Sequence, residues 1–295
     1  MRAEVIEGSL VGNKLVDEFR QLYEETFVEH FEHTAPYLSI ASSTLGNYLV
    51  SLALTGGDEG VRKIKELLEE HLWVLNAYYE SSVLTRLMLN ALLGPRGELS
   101  GELKGRLVVE PGELIEAFKD KIHREFLPAL MVTFGVIKPE NGIKLCEGFI
   151  DDYCFYSVLA AEGNSVAVKL LREGLITFHK RILEEEMLDL LKKLGFDANS
   201  LNDEFRGSVE GLDGKSLVQL IAPRTSTAQL AFMLYALING DEKLAKAHAL
   251  YGTATFSKKL LIRLCLDVYR ACEKGCDLSN ENLRQAIVKL FLFHI

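Results

Sequence analysis

The feature that most constrains the fold is a series of helix start and stop signals in residues 215–295. Ser226 and Gln229 have the spacing of a capping box, in which two side chains bind free backbone amides at a helix start. The apolar helix that follows ends at Asn239-Gly240, two residue types that tolerate positive φ, and Asp241 can cap the next helix at once. This order predicts a helical hairpin with almost no loop.

The same order of signals recurs towards the N-terminus. An apolar helix ends at Gly56-Gly57, where Asp58 is expected to cap the next helix, and a third hairpin is predicted around Glu162-Gly163-Asn164. The spacings between these copies are unequal, so a true internal repeat would require insertions. Unrelated helical hairpins share these start and stop signals, so the sequence is compatible both with an internal repeat and with unrelated hairpins.

The chain is therefore predicted to be all-α, an array or bundle of helical hairpins with few or no strands. Two segments rich in glycine or polar residues divide it into three helical units, and Arg106 to Glu110 is the best strand candidate. The predicted units are 1–93, 113–194 and 216–295, joined by connections 94–112 and 195–215.

Composition narrows the functional classes. The net charge is −9 and no basic tract is present, which argues against a dedicated nucleic-acid binder. No apolar run is long enough to span a membrane. The five cysteines lie mostly in apolar helical segments and no secretion signal is recognisable, so we expect free thiols in the cytoplasm. We expect no cofactor.

Arg172 and His179 form the first candidate catalytic pair. They are seven residues apart on a predicted helix, which returns them to nearly the same face. The spacing resembles the arginine–histidine signature of the HEPN family, all-helical proteins of which many are metal-independent ribonucleases. The resemblance covers this one helix and implies that Arg172 and His179 are catalytic. The alternative is a surface arginine and a partly buried histidine on an amphipathic helix.

Two further groups of residues are candidate binding sites. Arg224, Thr225 and Ser226 place a cation and hydroxyl groups at a helix start, where an anion could bind; capping explains the hydroxyl groups but not the arginine. Glu25, Glu29 and His33 share one face of a predicted helix and could present ligands to a metal. A second such helix is missing, so a solvated acidic face is the alternative.

No coherent catalytic set emerges from these motifs, and an enzyme is not the leading interpretation. The expected function is a helical scaffold or adaptor that binds another macromolecule, a protein first, in a groove between helical units. The alternative is a HEPN-like nucleic-acid-associated protein or metal-independent ribonuclease. The sequence predicts no oligomeric state.

Overall fold

The protein is all-α, as the sequence predicts. The computed structural model describes residues 12–28, 35–99, 101–150, 152–256, 258–273 and 275–294. In these ranges there is no β-strand, and the only β-type pairing is an isolated bridge between Ile122 and Pro223.

The helices fall into two compact units, Met1–Val109 with Asp277–Ile295, and Glu110–Cys276. We call them the outer unit and the inner unit, because the inner one is inserted in the sequence of the outer. The predicted arrangement of three helical units is not confirmed. The last helix of the chain instead packs against two helices from its first hundred residues.

The outer unit contains α1 Gly12–Val28, α2 Ala35–Thr55, α3 Gly57–Asn76, α4 Tyr79–Leu93, a 3-10 turn Gly94–Arg96, α5 Gly101–Leu107 and the last helix, α17 Glu281–His294. Helix α2 is apolar almost all round and is accordingly buried among α1, α3, α4 and α17. The core of this unit includes Leu45, Leu49, Ile64, Leu68, Leu84, Met88, Ile287 and Phe291.

The inner unit begins with α6 Pro111–Phe118, the 3-10 turns Lys119–Lys121 and Arg124–Phe126, α7 Leu127–Thr133, α8 Pro139–Cys146, α9 Tyr153–Ala161 and α10 Ser165–Glu185. It continues with α11 Leu188–Lys193, α12 Ala198–Glu210, α13 Gly214–Ile221, α14 Ser226–Ile238, α15 Glu242–Thr255 and α16 Lys259–Ala271. Consecutive helices form the hairpins α9/α10, α14/α15 and α15/α16, and α12 packs against both α10 and α15.

Both predicted connections contain a helix instead of a loop. Arg106 and Leu107, placed in the strand candidate, are the last residues of α5. In the second connection Asp197 caps α12, whose buried residues Ala198, Leu201, Phe205 and Val209 follow a three- and four-residue spacing. That spacing is the signal of an amphipathic helix, and the polar residues around it concealed it.

The predicted helix starts are correct in position but two of the capping residues are wrong. Helix α14 is capped by Thr225, not Ser226, through a hydrogen bond from the Ala228 amide at 3.3 Å. Gln229 is buried and donates to the His248 carbonyl instead of completing a capping box. Helix α3 begins after Gly56, and Asp58 lies in its first turn.

Four of the five cysteines are paired, so the expectation of free thiols was wrong. Cys146 ends α8 and Cys154 lies in the first turn of α9, and the loop between them brings their Cα atoms within 5.4 Å. Cys272 and Cys276 flank the turn after α16, with Cα atoms 4.3 Å apart. Cys265 is a buried free thiol.

In the part of the chain that the structure describes, no helix has the length and apolar character needed to cross a bilayer.

The turn between α14 and α15 gives a direct test of this fold. Gly240 has φ 74°, and a Cβ atom there would meet nothing within 4 Å, so only the backbone opposes a side chain. We expect Gly240→Val to lower the free energy of unfolding by about 1–3 kcal/mol, because a β-branched residue is forced into the left-handed region. Gly240→Asn is the control and should cost less, since asparagine adopts this conformation more readily. Equal urea midpoints for the two variants would contradict a left-handed conformation of Gly240 at the end of α14.

Candidate functional site

His179, one of the predicted catalytic residues, lies in the core of the inner unit. It is fully buried on α10, and its ring stacks on Phe205 of α12 at a centroid distance of 4.0 Å. Its Nδ1 is 2.8 Å from Asn202 Oδ1, and its Nε2 is 3.3 Å from the Leu250 carbonyl. Burial outweighs these two contacts and lowers the pKa of His179 to about 4. The imidazole is therefore a neutral group that joins α10, α12 and α15.

Arg172 also has structural partners. Its Nε donates to the Val209 carbonyl at 3.2 Å and its terminal nitrogen donates to the Leu212 carbonyl at 2.9 Å. These carbonyls lie at and just beyond the C-terminal end of α12, where a cation also interacts favourably with the helix dipole. The two side chains thus hold different parts of α12, and neither has the free, accessible position expected of a surface residue.

The anion candidate at the start of α14 has partners within the chain. The Arg224 guanidinium donates to the Asp120 carbonyl at 2.8 Å, and its backbone amide donates to the Lys121 carbonyl. Thr225 is the N-cap, and Ser226 is the first residue of the helix. These contacts give Arg224 the structural role that capping alone did not explain. Anion binding by Arg224, Thr225 and Ser226 stays a prediction.

Of the three residues in the candidate metal site, the structure describes only Glu25. Glu25 is exposed on α1 and accepts a hydrogen bond from Gln21 at 2.7 Å. Glu29 and His33 lie outside the described residues. Within the described ranges, no three His, Cys, Asp or Glu side chains are placed so that they could hold a metal ion together.

Five exposed apolar side chains that were not among the candidates from the sequence lie on the hairpin α9/α10. Asn164 caps α10 by accepting hydrogen bonds from the Val166 and Ala167 amides, and this fixes the turn of the hairpin. We call five of its residues the hairpin surface: Tyr153, Phe155 and Tyr156 on α9, which are 62, 41 and 38% exposed, and Val166 and Leu170 on α10, which are 65 and 52% exposed.

Other side chains of the two helices form the buried core of the hairpin. Helix α9 already buries Cys154, Val158 and Ala161, and α10 buries Leu171 and Leu175. The hairpin surface is on the remaining faces, where Val166 and Leu170 are one helical turn apart. The sequence carried a signal for it, because both helices are apolar on more positions than a single buried face requires.

No family model, curated protein or solved structure matches this chain.

Two buried histidines in the inner unit predict a loss of stability in mild acid. Burial lowers the pKa of His248 to about 3 and that of His179 to about 4, and neither nitrogen of His248 has a hydrogen-bond partner among the described residues. The unfolded chain binds protons from about pH 6.5 downwards, but the folded chain does not until the lowered pKa values are reached. The contribution of these two neutral histidines to the free energy of unfolding is therefore fully present above about pH 6.5 and is lost as the pH falls towards 4.

We expect each histidine to remove about 2 kcal/mol of unfolding free energy between pH 7 and pH 5. His248→Leu, which replaces an unpartnered imidazole with an apolar side chain, should lose about half as much stability as the parent over this range. The measurement is a urea titration at each pH in which unfolding is monitored by hydrogen exchange in peptides from α15. The same pH dependence in parent and variant would show that His248 is not a buried neutral group.

Proposed function

We propose that this protein is a helical scaffold or adaptor that binds another protein through the hairpin surface. The observation that supports this is the exposure of three aromatic and two aliphatic side chains on one hairpin. The rings of Phe155 and Tyr156 are in contact, with centroids 6.2 Å apart. Groups of exposed apolar side chains mark interaction sites, and aromatic residues are enriched among the anchors of protein interfaces. Tyrosine also supplies a hydroxyl group that can bind polar groups of a partner.

Charged residues of both signs follow the hairpin surface along α10. Lys169 and Glu173 are exposed beside Val166 and Leu170, and Glu162 is exposed at the turn. An apolar centre with a polar margin is the usual composition of a protein interface. A single-sign basic margin would favour nucleic acid, and the mixed charges here favour a protein partner.

The ribonuclease alternative has less support. An RNA-cleaving histidine must reach the substrate, and His179 is fully buried with both nitrogens close to oxygen atoms of the protein. We therefore keep protein binding as the single proposal. It places the binding site on one hairpin, whereas the sequence had suggested a groove between units.

A cytoplasmic location stays a prediction. The two disulfides count against it, because cytosolic thiols are kept reduced and stable disulfides belong mainly to oxidising compartments. The test is to alkylate the free thiols of the protein in its native cells and to identify the modified cysteines by mass spectrometry. Modified Cys146, Cys154, Cys272 and Cys276 would support a cytoplasmic location, and unmodified ones an oxidising compartment.

The test of the proposal is a pair of single substitutions with a matched control. Val166→Lys and Leu170→Lys place a charge in the hairpin surface at positions that are already exposed, so the unfolding free energy should change by less than about 0.5 kcal/mol. Val136→Lys makes the same change at an apolar residue that is 46% exposed outside the hairpin. We expect both hairpin variants to lose the partner and the control to keep it.

The measurement has two stages. Affinity capture from the native cells identifies proteins that the parent and Val136→Lys retain and that the hairpin variants do not, and titration calorimetry with the purified partner then gives a dissociation constant. Sedimentation velocity tests for a second copy of the chain as the partner. Equal binding by the parent and Leu170→Lys, or no specific partner in either experiment, would contradict the proposal.

A further inference from the structure

The outer unit contains a cavity of about 810 Å³ among α1, α2 and α3. Its volume is within the range of small-molecule sites. Aromatic side chains line one part of it, and charged side chains line the rest. The aromatic residues are Tyr23, Phe27, Tyr48 and His71; the charged residues are Asp17, Arg20, Glu24, Glu59, Arg62, Lys63 and Glu70.

The aromatic part is a packed cluster, so it holds its shape. Tyr23 and Phe27 are one turn apart on α1 and stack with centroids 5.3 Å apart and planes at 9°. The His71 ring meets both of them edge-on, at 6.1 and 5.2 Å. Helix α3 departs from helical geometry at His71, with φ −123° and ψ 15°, so the irregular residue of this helix stands in the cavity wall.

Two buried polar atoms of the cavity wall are unsatisfied. Tyr23 is 3% exposed, and its hydroxyl group has no hydrogen-bond partner among the described residues. The Nδ1 atom of His71 is buried and likewise has none. Leaving a buried polar group unpaired costs about 1–3 kcal/mol, and such groups are rare in folded proteins. Both residues line the same cavity, where a ligand can supply a partner for each.

The groups around Tyr23 and His71 indicate whether their unsatisfied atoms need a hydrogen-bond donor or an acceptor. His71 Nε2 is 3.6 Å from a Glu70 carboxylate oxygen, which favours the tautomer with the proton on Nε2. Nδ1 is then a hydrogen-bond acceptor and needs a donor. Burial raises the pKa of Tyr23, so its phenol is neutral and its oxygen can also accept. Both atoms are thus suited to N–H groups.

The charges of the cavity favour a cation. Four carboxylates and three cationic side chains line it. All three cations have carboxylate partners: Arg20 pairs with Asp17, Arg62 pairs with Glu59 and Glu66, and Lys63 pairs with Glu66. Glu24 has no cationic partner within the described ranges, and four carboxylates against three cationic side chains leave the lining with a net charge of −1.

We propose that this cavity binds a small organic amine with an apolar or aromatic body. The protonated nitrogen donates to Tyr23 Oη and His71 Nδ1, and the charge of Glu24 compensates its positive charge. The body of the ligand lies against Tyr48, whose ring also attracts a cation. This site is on the outer unit and is independent of the hairpin surface.

The experiment uses phenethylammonium as the probe, with 3-phenylpropionate as an anionic analogue and 2-phenylethanol as a neutral one. Trp73 is the single tryptophan of the chain, and its ring is 5.8 Å from that of Phe27, so its fluorescence reports on the cavity. We expect saturable binding of the amine with a dissociation constant below about 1 mM, at least tenfold tighter than either analogue. No saturation by the amine, or equal or tighter binding of 3-phenylpropionate, would overturn the proposal.

Three variants test the contacts. Tyr23→Phe removes only the unpartnered hydroxyl group, and we expect amine binding to weaken at least fivefold with the melting temperature unchanged or raised. Glu24→Gln should weaken binding by a similar factor. Glu25→Gln is the matched control, because Glu25 is the next residue, does not line the cavity and should leave binding unchanged. Unaltered affinity in both Tyr23→Phe and Glu24→Gln would show that the amine does not bind as proposed.

Discussion

The architecture of the inner unit depends on one neutral imidazole. His179 brings a polar ring into the core, and a neutral imidazole there needs one group that accepts from its N–H and one that donates to its other nitrogen. The side-chain amide of Asn202 on α12 and the Leu250 carbonyl of α15 are the polar groups beside its two nitrogens, and Phe205 covers one ring face. Arg172, two turns earlier on α10, holds the end of α12 through two carbonyls. Three helices are thereby fixed to one another by polar contacts that apolar packing alone would not specify.

Local chemistry made the fold class and the hairpin turns predictable from the sequence. Gly240 has the positive φ expected of a helix end, and Asp241 caps α15 by accepting from the Leu244 amide. Such signals involve residues within four positions of each other. Where two adjacent residues could both cap, as with Thr225 and Ser226, the pattern located the helix start but not the capping residue.

The roles of particular side chains were not predictable, because they depend on partners that are distant in sequence. His179 is 71 residues from Leu250, and no local pattern links the two. Seen alone, the spacing of Arg172 and His179 suggested a catalytic surface, whereas their contacts are with the interior and the end of α12. The cavity of the outer unit was equally hidden: Tyr23 and His71 are ordinary residues of amphipathic helices until the packing brings them together.

The order of the helices along the chain has a consequence for biosynthesis. Helix α17 packs against α2 and α4 and contributes Ile287 and Phe291 to the core of the outer unit, yet the whole of the inner unit is translated between them. The inner unit is continuous in sequence and is complete before α17 has been translated, whereas α2 and α4 keep part of their apolar surface uncovered until α17 is made. During this interval the uncovered apolar surface of α2 and α4 is available for chaperones to bind.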